Sequence, residues 1–215
     1  MKMMGIDEAG RGCVLGPMAI GCVVVDTKGW DSLWEIGVKD SKALSPKKRL
    51  QLEKEINKIA LYSQVTLIPP ETIDRYCAKN LLNVLEAEAA ARLIEAYSIE
   101  KVYIDAPGKG GKKFKLQLLD ALNPSISCEI IAENKADVLY PAVSAASILA
   151  KVSRDRAISD LKKVWGDFGS GYPGDGKTSR FLKKYYEENH DFPDFVRVSW
   201  ATIQRITTGF QSEWF

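Results

Sequence analysis

The chain has 215 residues, 46% of them hydrophobic and 27% charged, with a formal net charge of only +2. It is long enough for one sizeable core, or a core with a small appendage, and ordinary for a soluble globular protein. It lacks the charge excess that would attract nucleic acid in bulk, so any basic surface must come from local clustering.

The run Lys2–Ile6 reads as a first strand that stops at two adjacent carboxylates, Asp7 and Glu8, before Gly10, Arg11 and Gly12. Buried carboxylates at a strand end need a positive partner. A divalent cation would serve, and glycines leave the backbone open to close approach. The alternative at this point is that the two acids are turn residues closing an edge strand. Met18–Val25 reads as a neighbouring strand reached through Gly16-Pro17. Both runs are almost continuously apolar, as in a sheet covered on both faces.

Asp31–Ile36 reads as a short helix, and Ser45-Pro46 opens a clear one, with serine as N-cap and proline at the first helical position. Leu50, Leu52, Ile56 and Ile59 form its apolar stripe. Tyr62–Ile68 is a third strand, Glu71–Tyr76 a helical turn, and Leu81–Tyr97 a long helix with leucines and alanines on one face. Lys101–Ile104 is a fourth strand, ending on Asp105. The basic loop 107–111, a helix over Lys112–Leu122 and a fifth strand over Ile126–Ala132 follow. Pro141 starts a helix running to about Val164, preceded by Asp137. A glycine-rich loop carrying Tyr172-Pro173 then leads to helices over Thr178–Glu188 and Val196–Thr207. The alternation points to an α/β domain with a mixed sheet.

Four scattered cysteines (Cys13, Cys22, Cys77, Cys128) form no C-x-x-C pair, which argues against structural zinc and for reduced thiols, with Cys22 in the core. The single histidine, His190, leaves acid–base and metal chemistry to carboxylates. No signal-peptide pattern precedes Asp7, and the longest apolar run is too short to span a bilayer, so a cytoplasmic, non-membrane protein is expected.

Two strands end in acid, Ile6-Asp7-Glu8 and Ile104-Asp105. Were they parallel neighbours, both ends would lie at the sheet edge where open α/β sheets place ligands. Asp137, at a helix N-terminus, would turn toward the same edge. Consecutive strand side chains point to opposite faces, so Asp7 and Glu8 share a site only if the strand ends or bends there. Four carboxylates in one cleft imply two hard divalent cations, the arrangement suited to in-line displacement at phosphorus. Taken singly, Asp105 and Asp137 read as plain turn or helix caps.

The blocks Gly5–Gly12 with Val14-Leu15-Gly16-Pro17, Lys39–Ser45, Val102–Asp105, Lys135-Ala136-Asp137 leading into Val143–Val152, and Phe168–Pro173 together resemble type 2 ribonuclease H, ribonuclease HII, in an archaeal-like form. The resemblance runs in order along nearly the whole chain. It implies a ribonuclease-H-like fold: a central five-stranded mixed sheet flanked by helices, with a catalytic domain over 1–168 and a small helical substrate-binding subdomain over 169–215. It implies an endonuclease that hydrolyses the RNA strand of RNA–DNA hybrids and single ribonucleotides embedded in duplex DNA, leaving 5′-phosphate and 3′-hydroxyl ends. Removal of ribonucleotides and RNA primers during DNA replication and repair would be its role, acting as a monomer.

Asp7, Glu8, Asp105 and Asp137 match the family's acids for two Mg2+ or Mn2+ ions. Gly10, Arg11 and Gly12 match the loop at the ribose-to-deoxyribose junction, where small residues let backbone groups reach the 2′-hydroxyl. Tyr172 matches the tyrosine that stacks on the sugar, and Lys42 a phosphate-contacting lysine. Lys151 faces either the cleft or solvent. Cys13 stands where proline is also common. The tail 209–215 is the least matched part: its aromatics suit a sliding-clamp-binding peptide, but Thr207 falls where an aliphatic is needed after Gln204. Rival readings are another nuclease on the same fold, such as a junction resolvase, and a non-catalytic duplex-binding module using Lys42 and the lysines at 109–115.

Overall fold

The structure, a computed structural model, describes residues 1–38, 44–108 and 110–212, with side chains described up to residue 209. Lys42, Lys109 and the aromatic side chains of the tail therefore lie outside the described residues. In chain order the elements are β1 (Met3–Ala9), β2 (Met18–Val25), α1 (Thr27–Glu35), α2 (Pro46–Ile59), β3 (Tyr62–Ile68), α3 (Pro70–Cys77), α4 (Leu82–Glu95) and β4 (Lys101–Asp105). They continue with α5 (Gly111–Ala121), β5 (Glu129–Glu133), α6 (Ala136–Leu139), α7 (Pro141–Trp165), α8 (Gly176–Asn189) and α9 (Ala201–Ser212).

One unit comprises Met1–Ala9, Ala19–Leu67 and Leu82–Ser153. Its sheet has the order β3-β2-β1-β4-β5. The sheet is mixed: β1 is antiparallel to β2 and parallel to β4, and β4 is parallel to β5. Five strands in a mixed sheet is the architecture the sequence predicts. One boundary differs in a way that matters. The strand expected to stop at Ile6 continues to Ala9, because β2 keeps pairing with it (Asp7 opposite Gly21, Glu8 opposite Ile20). The parallel ladder to β4 ends three residues earlier, at Ile6 opposite Ile104.

β2 is buried along its whole length, as its unbroken apolar run demands. Residues 141–150 of α7 are also all buried, and this helix lies on β1 and β2 at backbone distance. A Cβ at Gly5 would sit 2.1 Å from the Ala142 carbonyl carbon, and one at Gly21 would sit 2.6 Å from the Ala146 oxygen. Glycine on the strands and alanine on the helix are what permit that approach. Val23, Val25, Leu33, Leu52 and Ile56 join α7 in one core cluster. Trp30, Tyr103 and Tyr140 form an aromatic cluster beside Met3 and Val143, with ring centroids 4.9 Å (Trp30–Tyr103) and 4.4 Å (Tyr103–Tyr140) apart. Cys22 is buried as expected, whereas Leu50, placed on the apolar stripe of α2, is 44% exposed; Leu52 and Ile56 are the residues of α2 that bury fully. Ser45 caps α2, its hydroxyl accepting from Lys48 N at 3.2 Å.

The other unit comprises Gly10–Met18, Ile68–Leu81 and Arg154–Phe215. Its core gathers Val14, Leu15, Ile158, Phe168, Leu182, Phe195 and Ile203. Helix α8 is capped by Asp175, which accepts from Lys177 N at 2.8 Å.

Candidate active site

Asp7 and Asp105 follow directly on the last paired residues of two parallel strands, so their side chains emerge together at one sheet edge. Asp7, Glu8 and Asp105 line one cavity with Ile6, Ile20, Glu86, Ala90, Ile104 and Phe114. Its volume, about 10 Å³, admits roughly one water-sized sphere and no organic ligand. Asp7 is buried, and its Oδ1 accepts from Glu8 N at 2.7 Å. The strand does not end between the two acids, yet both reach the same cavity, because β4 no longer flanks β1 beyond Ile6.

Burial pushes the Asp7 carboxyl well above the usual carboxylate range, and the Glu8 and Asp105 charges push it the same way. The Lys151 ammonium and a Ser147 hydrogen bond oppose them. Ser147 and Lys151 stand four apart on α7, on one helical face, and Lys151 Nζ donates to the Ser147 hydroxyl. The cleft-or-solvent question for Lys151 thus has an answer: the helix turns its charge toward Asp7.

Asp137 lies in the first turn of α6, a four-residue helix separate from α7, where the sequence shows only the residues before Pro141. Asp105 Oδ1 accepts from Ala136 N at 2.8 Å, so the carboxylate ending β4 fastens the head of the helix that carries Asp137. Asp137 is 2% exposed. All four acids belong to the first unit. As donors they are hard oxygens, the set suited to magnesium- or manganese-like cations. Among the described residues no three His, Cys, Asp or Glu side chains close on a common point as a finished metal cage. The donor chemistry fits, and the arrangement is open.

The sequence-predicted reading loop lies in the second unit. Gly10 has φ +82°, a left-handed conformation costly for other residues, and a Cβ there would lie 2.2 Å from Arg154 Nε. Val14 N and Leu15 N both donate to Gly171 O, at 2.8 and 3.2 Å, which places the loop beside Tyr172. Arg197, fully buried, donates from Nε to Gly16 O at 3.0 Å and from Nη1 to Arg11 O at 2.9 Å. Gly12 is exposed, and a Cβ added to it would meet nothing within 4 Å.

Three charged residues in these two sites escape sequence reasoning. Glu86, 4% exposed on α4, lines the acid cavity; the one signal was an acid next to Leu85 on a helix otherwise rich in leucine and alanine. Arg154 and Arg197, 5% and 0% exposed, read in sequence as ordinary surface cations.

Comparison with known proteins gives one answer. A family model described as Ribonuclease HII matches residues 4–203. The chain is 44% identical to ribonuclease HII of Pyrococcus furiosus, over 99% of this chain and 94% of that one. It is similar to the crystal structure of ribonuclease H2 from Pyrococcus horikoshii OT3, with TM-score 0.90 and 42% identity, covering 98% of this chain and 99% of that one. It is also similar to a chain of the PCNA:RNase HII complex from Archaeoglobus fulgidus, with TM-score 0.84 and 38% identity, covering 95% and 96%.

Proposed function

This chain belongs to the ribonuclease HII family, endoribonucleases acting on RNA–DNA hybrids, and from that premise we propose its finer chemistry. It hydrolyses the RNA strand of hybrids and also cuts at single ribonucleotides embedded in duplex DNA, by two-metal-ion catalysis. The products carry 5′-phosphate and 3′-hydroxyl ends. Removing ribonucleotides and RNA primers during replication and repair is the matching role, performed by a cytoplasmic monomer; among the described residues no helix is long and apolar enough to cross a membrane.

The observation that supports this reading is the gathering of Asp7, Glu8 and Asp105 around a water-sized cavity, with Asp105 bonded to the helix that bears Asp137. Asp7, Glu8, Asp105 and Asp137 would hold two Mg2+ or Mn2+ ions. Bound cations supply water activation and charge neutralisation at the reacting phosphate. The chain's own residues supply the rest. Lys151 tempers the repulsion among the acids, and Ser147 orients Asp7. The backbone of Gly10, Arg11 and Gly12 reads the 2′-hydroxyl, Tyr172 stacks on the sugar at the junction, and Lys42 steadies a phosphate. Residues 169–215 contribute substrate-binding surface.

The deciding experiment is cleavage of a duplex bearing one ribonucleotide, with the cut mapped, in magnesium or manganese and again with chelator. Asp7→Asn and Asp105→Asn should abolish the cut while folding is kept. Wild-type cleavage by Asp7→Asn protein overturns the reading. Equal cutting of all-DNA junctions would favour a resolvase. The Archaeoglobus complex with PCNA makes a sliding clamp worth testing as a partner of the tail 209–215. Pull-down that is the same with and without that tail disposes of it.

A further inference from the structure

We propose that Arg154 is a positioning residue that holds Tyr172, and so sets its aim at the ribonucleotide. The inference rests on the reading of Tyr172 given above and adds one residue to it.

Tyr172 is 49% exposed on a glycine-rich loop, where an unsupported ring would sample several rotamers. One contact restricts that freedom. The Arg154 guanidinium lies 5.6 Å from the centre of its ring, within cation–π range.

Arg154 does more than face the ring. Its Nη2 donates to Leu15 O at 3.2 Å, and its stem lies against Gly10, where a Cβ would meet Nε at 2.2 Å and Cδ at 2.3 Å. Gly171, immediately before Tyr172, is itself hydrogen-bonded from Val14 N and to Thr178 Oγ1. One buried cation, 5% exposed and with Nε lacking a hydrogen-bond partner among the described residues, thus touches both the loop that reads the 2′-hydroxyl and the tyrosine that stacks on the sugar. Burying a guanidinium with one nitrogen left unbonded is costly, so its place between these two elements calls for a role beyond filling space. An aliphatic side chain would fill the gap without the charge, but it would also lose the ring contact and the bond to Leu15.

The test is a double-mutant cycle on full-length protein, cutting a duplex with one embedded ribonucleotide. Arg154→Lys keeps charge but loses the planar face. It should slow wild type and leave a Tyr172→Ala enzyme unchanged. Equal losses in both backgrounds mean Arg154 acts through packing, and overturn the proposal. A second measurement is independent of cleavage: the 13Cζ resonance of labelled Tyr172 at neutral pH, identified by its loss in Tyr172→Phe. It should move in Arg154→Lys, which takes the guanidinium plane from the ring. If Tyr172→Ala leaves cleavage untouched, the functional reading of Tyr172 fails, and this resonance still decides the hold. No movement of it in Arg154→Lys overturns the proposal.

Discussion

Replacing Gly5 by alanine tests the packing on which the acid site rests. The new methyl would lie 2.1 Å from the Ala142 carbonyl carbon and 2.3 Å from both the Ala142 oxygen and Val143 N. Carbon–carbon contacts settle near about 3.5 Å, so α7 must retreat from β1 by about 1.4 Å, or the strand must buckle. All three obstructing atoms are backbone, and no side-chain rotation relieves them. Overpacking of this kind costs about 1–3 kcal/mol when neighbours can shift, and a rigid helix holds the figure at the upper end. The stiffening of the unfolded chain on Gly→Ala returns about 0.4–1 kcal/mol. A net loss of about 2 kcal/mol corresponds to a melting temperature lower by roughly 4–8 °C for a chain of this size. Gly12→Ala is the matched control: nothing lies within 4 Å of its Cβ, and stability should hold to within about 0.5 kcal/mol. Thermal melts of the two variants and wild type, in one metal-free buffer, decide the matter. If Gly5→Ala melts within a degree of Gly12→Ala, β1 and α7 are not in backbone contact and the account of how α7 delivers Ser147 and Lys151 to Asp7 is wrong.

Other expectations follow from charge and burial. Because burial and the neighbouring acids raise Asp7, its favourable contribution is present below the unfolded-state value and is lost as pH rises through the folded-state value. Metal-free Asp7→Asn should therefore melt higher than wild type at pH 7, and the gap should narrow as pH falls toward 4. Asp175, lowered to about 2 first by Ser170 and then by the Lys177 backbone, has the opposite sign: its contribution is present above the ordinary value and lost as pH falls through 2. Asp175→Ala should lower the melting temperature at pH 7, with the difference closing by pH 2. Arg197→Met strips two donors from the Gly16 and Arg11 carbonyls and should cost about 2–4 kcal/mol, read by denaturant titration.

Local chemistry determined much of this protein from sequence alone. Ser45-Pro46 starts α2 because an N-cap hydroxyl and a ring lacking N–H suit the first turn, and Tyr62–Ile68 is a strand with the boundaries its pattern predicts. The four acids, the glycine loop and Tyr172 are legible as motifs whose order and spacing carry the family likeness. Short-range rules failed where a partner distant in sequence intervened. β1 runs on through Asp7 and Glu8 because β2 supplies hydrogen bonds opposite them, against the local signal of paired acids and glycine. α6 escaped because four residues are too few for a helical period, and its head is secured by Asp105, 31 positions away.

Which charges are buried was the part only the tertiary structure decided. A sequence shows Lys151, Glu86, Arg154 and Arg197 as charges, and the default for a charge is water. Lys151 faces Asp7 because Gly5 and Gly21 let α7 settle onto the strands. Arg197 is interior because Arg11 and Gly16, some 180 positions earlier, offer it carbonyls. Residue type and spacing fix what a side chain is able to do. Desolvation and the partner that offsets it depend on every element packed around it, and so belong to the folded chain alone.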